Sequence, residues 1–214
     1  MIRLVSALVV FSLVGVLAIF SCWAAYRLPS ANMMPGIEAG DLVSVNKIAY
    51  GFSNQSLAFG IGRRWSGGMQ FRLFARPPER GDVIIFWSEE IERSVVGRVI
   101  GLPEEVVELS AGRVVVDGAQ VERTEAGTLT LTSSGRRPRD LVRYQEVYQD
   151  GTTVDILEEN DESLLDDAGP FRVSEGFVFV LGDNRDNAID SRVPSSRGGY
   201  GFVPVSHIIG RVAE

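Results

Sequence analysis

A long apolar run at the start of the chain gives way to short segments of alternating character. Residues 4–26 are almost entirely apolar and carry no charge. About 20 such residues cross a bilayer as a helix, so the run predicts a transmembrane signal anchor over residues 1–27. A cleavable signal peptide is the alternative, but its apolar core is usually about 7–15 residues long. Because Arg3 and Arg27 flank the run at both ends, charge does little to orient it.

Beyond residue 40 the pattern is that of a mostly β protein. Residues 41–45 alternate apolar and polar side chains, which is the period of a half-buried strand. Glycine-containing turns separate the later strand-like segments. We predict buried strands at residues 83–87, 95–102 and 178–181, a hairpin of residues 106–109 with 113–116, and further strands at residues 120–122, 200–205 and 208–211. These segments predict one β domain over residues 28–126 and 171–214.

Residues 127–170 form a variable, charged insert between the two parts of that domain. A basic run comes first and an acidic run follows. Two interpretations stay open: two solvated loops that pair with each other, or a docking surface for an assembly partner. Within the insert, residues 142–156 predict a hairpin about Asp150 and Gly151. The basic residues are Arg136, Arg137, Arg139 and Arg143; the acidic ones are Asp155, Glu158, Glu159, Asp161, Glu162, Asp166 and Asp167.

Composition excludes several kinds of site. The formal net charge is -7, so the chain lacks the positive field with which proteins bind nucleic acid. Cys22 is the only cysteine and His207 the only histidine, which argues against a zinc site and excludes an intrachain disulfide. We predict no cofactor and no metal. Lys47 is the only lysine and is interpreted as an exposed residue at a strand end.

The segment 52–78 is rich in glycine, arginine and aromatic residues. Aromatic residues interleaved with arginines suit a loop that rests on lipid headgroups. A surface loop with its aromatic side chains turned inward is the other interpretation.

The residues directly after the apolar run carry the most specific motif. Residues 29–35 read Pro-Ser-Ala-Asn-Met-Met-Pro, and the two prolines predict a rigid, extended segment that presents Ser30 and Asn32 on one side. This stretch begins a longer block: residues 29–51, 80–86, 98–103 and 181–192 resemble the conserved blocks of bacterial type I signal peptidases, in the same order and spacing. The resemblance implies a mostly antiparallel β fold, tethered by one N-terminal helix, with its site at the outer face of the plasma membrane.

The same resemblance shows that the catalytic positions are substituted. The family removes signal peptides from exported precursors with a serine nucleophile and a lysine general base. Asn32 stands at the serine position, Gly97 at the lysine position, and Ala188 at the position of a serine that orients the lysine. A carboxamide is not an acyl-transfer nucleophile and glycine has no side chain, so the dyad is missing.

Other positions of the family's site are retained. Ser30 matches the oxyanion-hole serine. Two further sets of residues match. The positions that line the family's pockets for small substrate side chains are Tyr26, Leu28, Met33 and Val96, and the positions of its bracing network are Asp183, Asp190 and Arg192. Glu104 and Glu105 stand where the family usually has glycine and aspartate, which puts the conformation of that loop in doubt.

These observations predict a membrane-anchored, extracytoplasmic homologue that does not cleave. Its expected partners are the lipid bilayer and exported or signal-peptide-bearing proteins in extended form, with an assembly partner as a further option. The alternative is an active signal peptidase with a rewired pair, in which Ser30 works with Lys47 or His207. A third hypothesis is a scaffold whose partner docks on the charged insert.

Overall fold

The computed structural model describes residues 22–57, 71–132, 138–160 and 163–213, together with the single positions 12 and 15. The described residues contain sixteen β-strands and four short 3-10 turns. The strands are β1 (Trp23–Arg27), β2 (Leu42–Asn46), β3 (Phe52–Ser53), β4 (Arg72–Leu73), β5 (Val83–Ser88), β6 (Arg93–Gly101), β7 (Val106–Ser110), β8 (Arg113–Val116), β9 (Ala119–Gln120), β10 (Glu122–Leu131), β11 (Arg139–Val147), β12 (Thr153–Glu158), β13 (Ala168–Arg172), β14 (Phe177–Leu181), β15 (Val203–Pro204) and β16 (Ile208–Val212). The turns are Asn54–Ser56, Arg185–Asn187, Ser195–Arg197 and Val205–His207.

The largest sheet contains seven strands in the order β1-β2-β16-β5-β6-β14-β15, and all its pairings are antiparallel. Its central strands β5, β6 and β14 come from the runs rich in valine, isoleucine and phenylalanine, whose branched and aromatic side chains suit a pleated, buried surface. The predictions of a mostly β fold and of these strands are therefore confirmed.

Three smaller sheets complete the fold. A four-stranded sheet has the order β13-β7-β8-β9, a three-stranded sheet has the order β10-β11-β12, and β3 pairs with β4. The predicted hairpins are present: β7 pairs with β8 about Ala111 and Gly112, and β11 pairs with β12 about Asp150 and Gly151. Gly112, at φ 71°, and Gly151, at φ 85°, adopt the left-handed conformation that tight turns require.

Strand β6 borders all three hydrophobic clusters of the core. Its side chains alternate between the two faces of the sheet, so Val96 belongs to a different cluster from Val95 and Val99, and Ile100 belongs to a third. The cluster around Ile100 extends to β7, β8 and β12 and joins the smaller sheets to the large one. The strand that carries Gly97 is thus held from several sides.

The end of the apolar run is a strand and not a helix. We predicted an anchor over residues 1–27, but Trp23–Arg27 pair with β2, with Ala24 opposite Val45 and Tyr26 opposite Val43. The helical part of an anchor must therefore end by Cys22. No helix among the described residues is long and apolar enough to cross a membrane. Most of the predicted anchor, residues 1–21 apart from positions 12 and 15, lies outside the described residues.

The charged insert is more ordered than its composition suggests. We predicted one hairpin within residues 127–170, and the structure adds a third strand to it: β10, β11 and β12 form an antiparallel sheet that begins at Glu122. Its opposite charges pair across neighbouring strands, Arg143 with Asp155 at 2.5 Å and Arg139 with Glu159 at 2.9 Å. This pairing agrees with the first interpretation of the insert, and partner docking stays a prediction.

The aromatic loop is only partly described. Residues 58–70, which carry much of its predicted lipid contact, lie outside the described residues. Phe74, just beyond them, is 90% exposed, and Phe71 and Leu73 are also exposed. The choice between the two interpretations of this loop therefore stays open.

Candidate functional site

The four residues expected to form the side-chain pockets meet in one apolar cluster. Leu28, Met33 and Val96 are buried in it and Tyr26 packs against its rim. Strands β5 and β16 form the base of the cluster, with Val83, Ile85, Ile209 and Val212. Residues that are 70 positions apart in the chain are brought together because β6 lies next to β5, and β5 in turn lies next to β16.

The segment that carries Ser30 and Asn32 is a turn and not an extended strand. Residues 30–37 form consecutive bends and turns, with hydrogen bonds from Met34 N to Ala31 O and from Ile37 N to Met33 O. The prediction of extended geometry was wrong because proline restricts only its own φ and the residue before it. Asn184 holds the turn from outside, donating from its backbone N–H to Asn32 O at 3.0 Å and from Nδ2 to Ala31 O at 3.1 Å.

Asn32, Gly97 and Ala188, which we expect at the catalytic positions, gather around the end of β14. A Cβ atom placed on Gly182 would lie 2.2 Å from Ala188 Cβ and 2.9 Å from Asn32 O, so both residues contact this glycine. A Cβ atom placed on Gly97 would lie 3.3 Å from Val180 Cβ and 3.7 Å from Leu181 O. Gly182 has to be glycine, because its neighbours leave no room for a side chain.

Strand β6 offers a free backbone edge beside this cluster. Residues 93–98 pair with β5 on one side, whereas β14 pairs on the other side only with Arg98, Val99 and Gly101. Among the described strands, none covers the second side of residues 93–97. An extended peptide can pair with such an edge by backbone hydrogen bonds and place alternate side chains in the adjoining pockets.

Two buried ion pairs stiffen the segment behind the site. Arg98 donates to Asp183 through Nε at 2.8 Å and through Nη2 at 2.7 Å. Arg192 donates to Asp190 at 2.9 and 2.8 Å, and Asp190 also accepts a hydrogen bond from Gly182 N at 3.2 Å. The expected bracing residues are therefore present as two separate pairs. Arg98, the partner of Asp183, was missed as a member of this network.

A third pair, also missed from the sequence, ties the insert to the same segment. Arg185 and Glu146 are fully buried and joined by two hydrogen bonds of 2.7 and 2.6 Å. Tyr148 donates to the same carboxylate at 2.9 Å, and burial raises the pKa of its hydroxyl well above the ordinary range. Although burial opposes it, the Glu146 carboxylate raises the pKa of Arg185. Arg185 is therefore charged although it is buried.

Two cavities lie near these elements. An open cleft of about 790 Å³ runs between β2 and the hairpin of β11 and β12, and Arg98 and Asp183 line it. A second cavity of about 450 Å³ is lined by Phe86, Phe177, Tyr200 and His207, among others. Its lining includes none of the predicted site residues, so we place the candidate site at the cluster around Met33 and Val96.

Comparison with known proteins decides the family. The sequence pattern of the family described as "Signal peptidase, peptidase S26" matches residues 1–214. This chain belongs to the signal peptidase family. Signal peptidase I of Rickettsia typhi is 32% identical over 193 residues, which cover 87% of this chain and 69% of that protein. Signal peptidase I of Rickettsia bellii strain OSU 85-389 is 34% identical, with 87% of this chain and 63% of that protein covered.

The chain thus spans about two thirds of the length of these signal peptidases. A crystal structure of a signal peptidase I from Enterococcus faecalis V583 aligns with 64% of this chain and 98% of that chain. The sequence identity is 25% and the TM-score is 0.37, which is too low for a detailed comparison of the two folds. Family membership therefore rests on sequence.

The loop at Glu104 and Glu105 is closed by hydrogen bonds. Glu104 has φ 74°, the left-handed conformation that glycine adopts most easily. The Glu105 carboxylate accepts hydrogen bonds from Arg80 Nη2 at 2.6 Å and from Leu102 N at 2.8 Å. The loop that the substitutions put in doubt is therefore a closed, hydrogen-bonded turn.

Lys47 and His207, the two candidates for a replacement base, are both engaged elsewhere. Lys47 was predicted to be exposed but is 5% exposed, because the chain at residues 54–57 folds over it. Its ammonium donates to the carbonyl oxygens of Ser56 at 2.7 Å and Leu57 at 3.0 Å. Burial lowers the pKa of Lys47, an effect that Cys22 partly offsets. His207 lies 3.5 Å from Glu89 and lines the second cavity.

Proposed function

We propose that this member of the signal peptidase family binds extended segments of exported proteins and does not cleave them. The observation that carries the proposal is the free edge of β6, which lies beside an intact apolar pocket and next to catalytic positions occupied by Asn32, Gly97 and Ala188. Backbone pairing at an edge needs no nucleophile, whereas acyl transfer needs a hydroxyl and a base.

The engagement of the other bases supports the same proposal. The Lys47 ammonium donates to the backbone carbonyls of Ser56 and Leu57, so the contacts that hold it involve neither Ser30 nor Asn32. His207 faces Glu89 at a cavity that includes neither Ser30 nor Asn32. A pair of Ser30 with either residue would require these contacts to break.

Placement in the membrane is part of the proposal. A helix over residues 4–22 would be continuous with β1, which begins at Trp23 and enters the sheet directly. The pocket residue Tyr26 lies three positions further on, so the anchor would hold the site close to the bilayer surface. There the partners would be exported chains that leave the membrane on the extracytoplasmic side.

Binding is tested with a fluorescently labelled peptide that has small residues at alternate positions, titrated with the full-length protein in detergent. We expect micromolar affinity. N-methylation of the peptide nitrogens that pair with β6 should weaken binding at least tenfold, and methylation of the alternate nitrogens should not. Equal effects at all positions would contradict binding along an edge.

Adjacent valines provide a matched pair of variants. Val96 faces the pocket with Leu28 and Met33, whereas Val95 faces the other side of the sheet. We expect Val96→Ala to weaken binding by about fivefold, since it removes roughly 1 kcal/mol of apolar contact. Val95→Ala should leave the affinity unchanged.

Cleavage is tested on the same protein with an exported precursor as substrate. We expect no mature product. Product that is lost on Ser30→Ala or Lys47→Ala would overturn the non-cleaving proposal and support an active enzyme with a rewired pair.

Docking on the charged insert is tested by deleting residues 127–170. Loss of a protein partner on this deletion, with peptide binding unchanged, would support docking on the insert.

A further inference from the structure

Three carboxylates from separate parts of the chain meet near Asn184, the residue that donates hydrogen bonds to Asn32 and Ala31. Glu158 is the last residue of β12, Asp166 lies in the turn before β13, and Asp186 lies in the turn Arg185–Asn187. Each offers an oxygen atom within 4.8 Å of the other two. Glu158 is 2% exposed and Asp166 is 1% exposed, so water screens their mutual repulsion poorly.

The oxygens of Glu158 are poorly compensated within the protein. Neither accepts a hydrogen bond, and the ion-pair partner Arg123 places its Nη1 atom 3.6 Å from Oε2, beyond good hydrogen-bond distance. Desolvation raises the pKa of the Glu158 carboxyl to about 8. Asp186 binds two backbone N–H groups, those of Glu159 and Asn160, through Oδ2, while its buried Oδ1 accepts no hydrogen bond.

Buried oxygens without donors are costly, and each one in a folded protein calls for an explanation. A cation between the carboxylates supplies one. A bound cation requires all three carboxylates to be ionised; they then carry three negative charges and Arg123 carries one positive charge, which leaves two negative charges to balance. Arg185 is also near, but Glu146 already neutralises it. A divalent ion would bring the cluster to neutrality.

The ligand set selects the chemical class of the ion. Carboxylate oxygens alone, without sulfur or imidazole, suit hard cations such as Ca²⁺ and Mg²⁺. The three oxygens lie within 4.8 Å of one another, close enough to surround one ion. Three carboxylates in one site favour Ca²⁺, because Mg²⁺ usually keeps several waters and binds through only one or two carboxylates.

We propose that Glu158, Asp166 and Asp186 form a Ca²⁺ site that braces the candidate peptide-binding site. The link between the two sites is short. Leu157 N, next to Glu158, donates to Asp183 O at 2.8 Å, and Leu157 forms an isolated parallel bridge with Asn184. Asn184 in turn holds Asn32 and Ala31. A bound ion fixes both β12 and the turn Arg185–Asn187 and so limits movement of the residues between them.

The ion itself is the first probe. Full-length protein in detergent is freed of divalent ions with a chelator and titrated with CaCl2 by calorimetry, with MgCl2 in parallel. We expect one Ca²⁺ per chain with a dissociation constant below about 1 mM, and weaker binding of Mg²⁺. At a hundredfold excess over the dissociation constant, the melting temperature should rise by roughly 5–10 °C.

Variants show which residues hold the ion. Glu158→Gln and Asp186→Asn should each abolish the Ca²⁺-dependent rise in melting temperature. The matched control is Glu159→Gln, because this neighbouring carboxylate pairs with Arg139 at the surface and does not face the cluster. Glu158→Gln preserves the size of the side chain, so this variant is expected to fold.

Two results would overturn the proposal. One is the absence of saturable Ca²⁺ binding by the unmodified protein. The other is Ca²⁺ binding that survives both Glu158→Gln and Asp186→Asn. Stabilisation by Glu158→Gln without any response of the unmodified protein to Ca²⁺ would show that the carboxylates share a proton instead. Neither result depends on whether the protein cleaves precursors.

Discussion

Asn184 holds the backbone at Asn32: its N–H donates to Asn32 O at 3.0 Å, while its side chain donates to Ala31 O at 3.1 Å. Asn184 is 2% exposed and begins the turn that leads to Ala188. A single buried side chain therefore couples the segment at the nucleophile position to the end of β14. The conformation of the site depends on this coupling and not on the two prolines alone.

The first prediction concerns this coupling. Asn184→Ala removes the hydrogen bond to Ala31 O and leaves that carbonyl without its donor, which costs about 1–2 kcal/mol of stability. We expect peptide affinity to fall by at least fivefold, because the turn at residues 30–37 loses its support. Asn187→Ala is the control, since Asn187 is exposed. Both are measured by urea denaturation and peptide titration, and equal losses of affinity in the two variants would contradict the coupling.

Restoring the catalytic side chains should restore some cleavage. The triple variant Asn32→Ser, Gly97→Lys and Ala188→Ser returns a hydroxyl, a base and its orienting group to positions that already surround the end of β14. We expect slow cleavage of a precursor, at least tenfold above the matched variant that carries Asn32→Ala instead of Asn32→Ser.

The rate should stay well below that of a natural enzyme, for a steric reason. The new Cβ at position 97 would lie 3.3 Å from Val180, so β14 must shift by a few tenths of an ångström. Cleavage is followed by gel analysis of precursor and mature product. No cleavage by a folded triple variant that still binds peptide would show that the site has diverged beyond these three residues.

We predict that removing one partner of the buried ion pair of Glu146 and Arg185 destabilises the protein strongly, and that removing both partners costs less than the two single changes added together. Glu146→Gln or Arg185→Met alone leaves an uncompensated buried charge and should cost about 3–5 kcal/mol of unfolding free energy. The double variant should cost clearly less than the sum. Removing the exposed pair of Arg143 and Asp155 should change the free energy by less than about 1 kcal/mol. Chemical denaturation measures all of these, and additive single effects would refute the coupling.

Glu104→Gly is predicted to stabilise the protein. The left-handed conformation costs a residue other than glycine about 1–2 kcal/mol, so the substitution relieves this strain. Glycine loses more conformational entropy on folding, which cancels part of the gain. We expect a net gain of about 0.5–1 kcal/mol, or about 1–4 °C in melting temperature. Glu108→Gly, in the exposed face of β7, should instead destabilise by about 0.5–1 kcal/mol. A loss of stability in Glu104→Gly would mean that the Glu104 side chain has a role of its own.

The sequence predicted the strands of the large sheet because their signal is local. A run such as residues 83–87 is branched and apolar wherever it is placed, and alternation at residues 41–45 reports a half-buried strand without any knowledge of its neighbours. The same patterns were less useful at the apolar run. Residues 23–26 are apolar like the residues before them, and only the pairing with β2 makes them a strand.

The expected loss of the catalytic dyad rests on the sequence alone. A motif is read from residue identities, so Asn32, Gly97 and Ala188 mark the change before any coordinate is known. Burial and pairing were decided only by the tertiary structure. The pairs of Arg98 with Asp183 and of Arg185 with Glu146 join residues 85 and 39 positions apart, and Lys47 is buried because a later turn covers it. Such contacts depend on strand register and on the packing of sheets. The residues that meet in this way are far apart in the sequence, so no local pattern of apolar and polar residues predicts them.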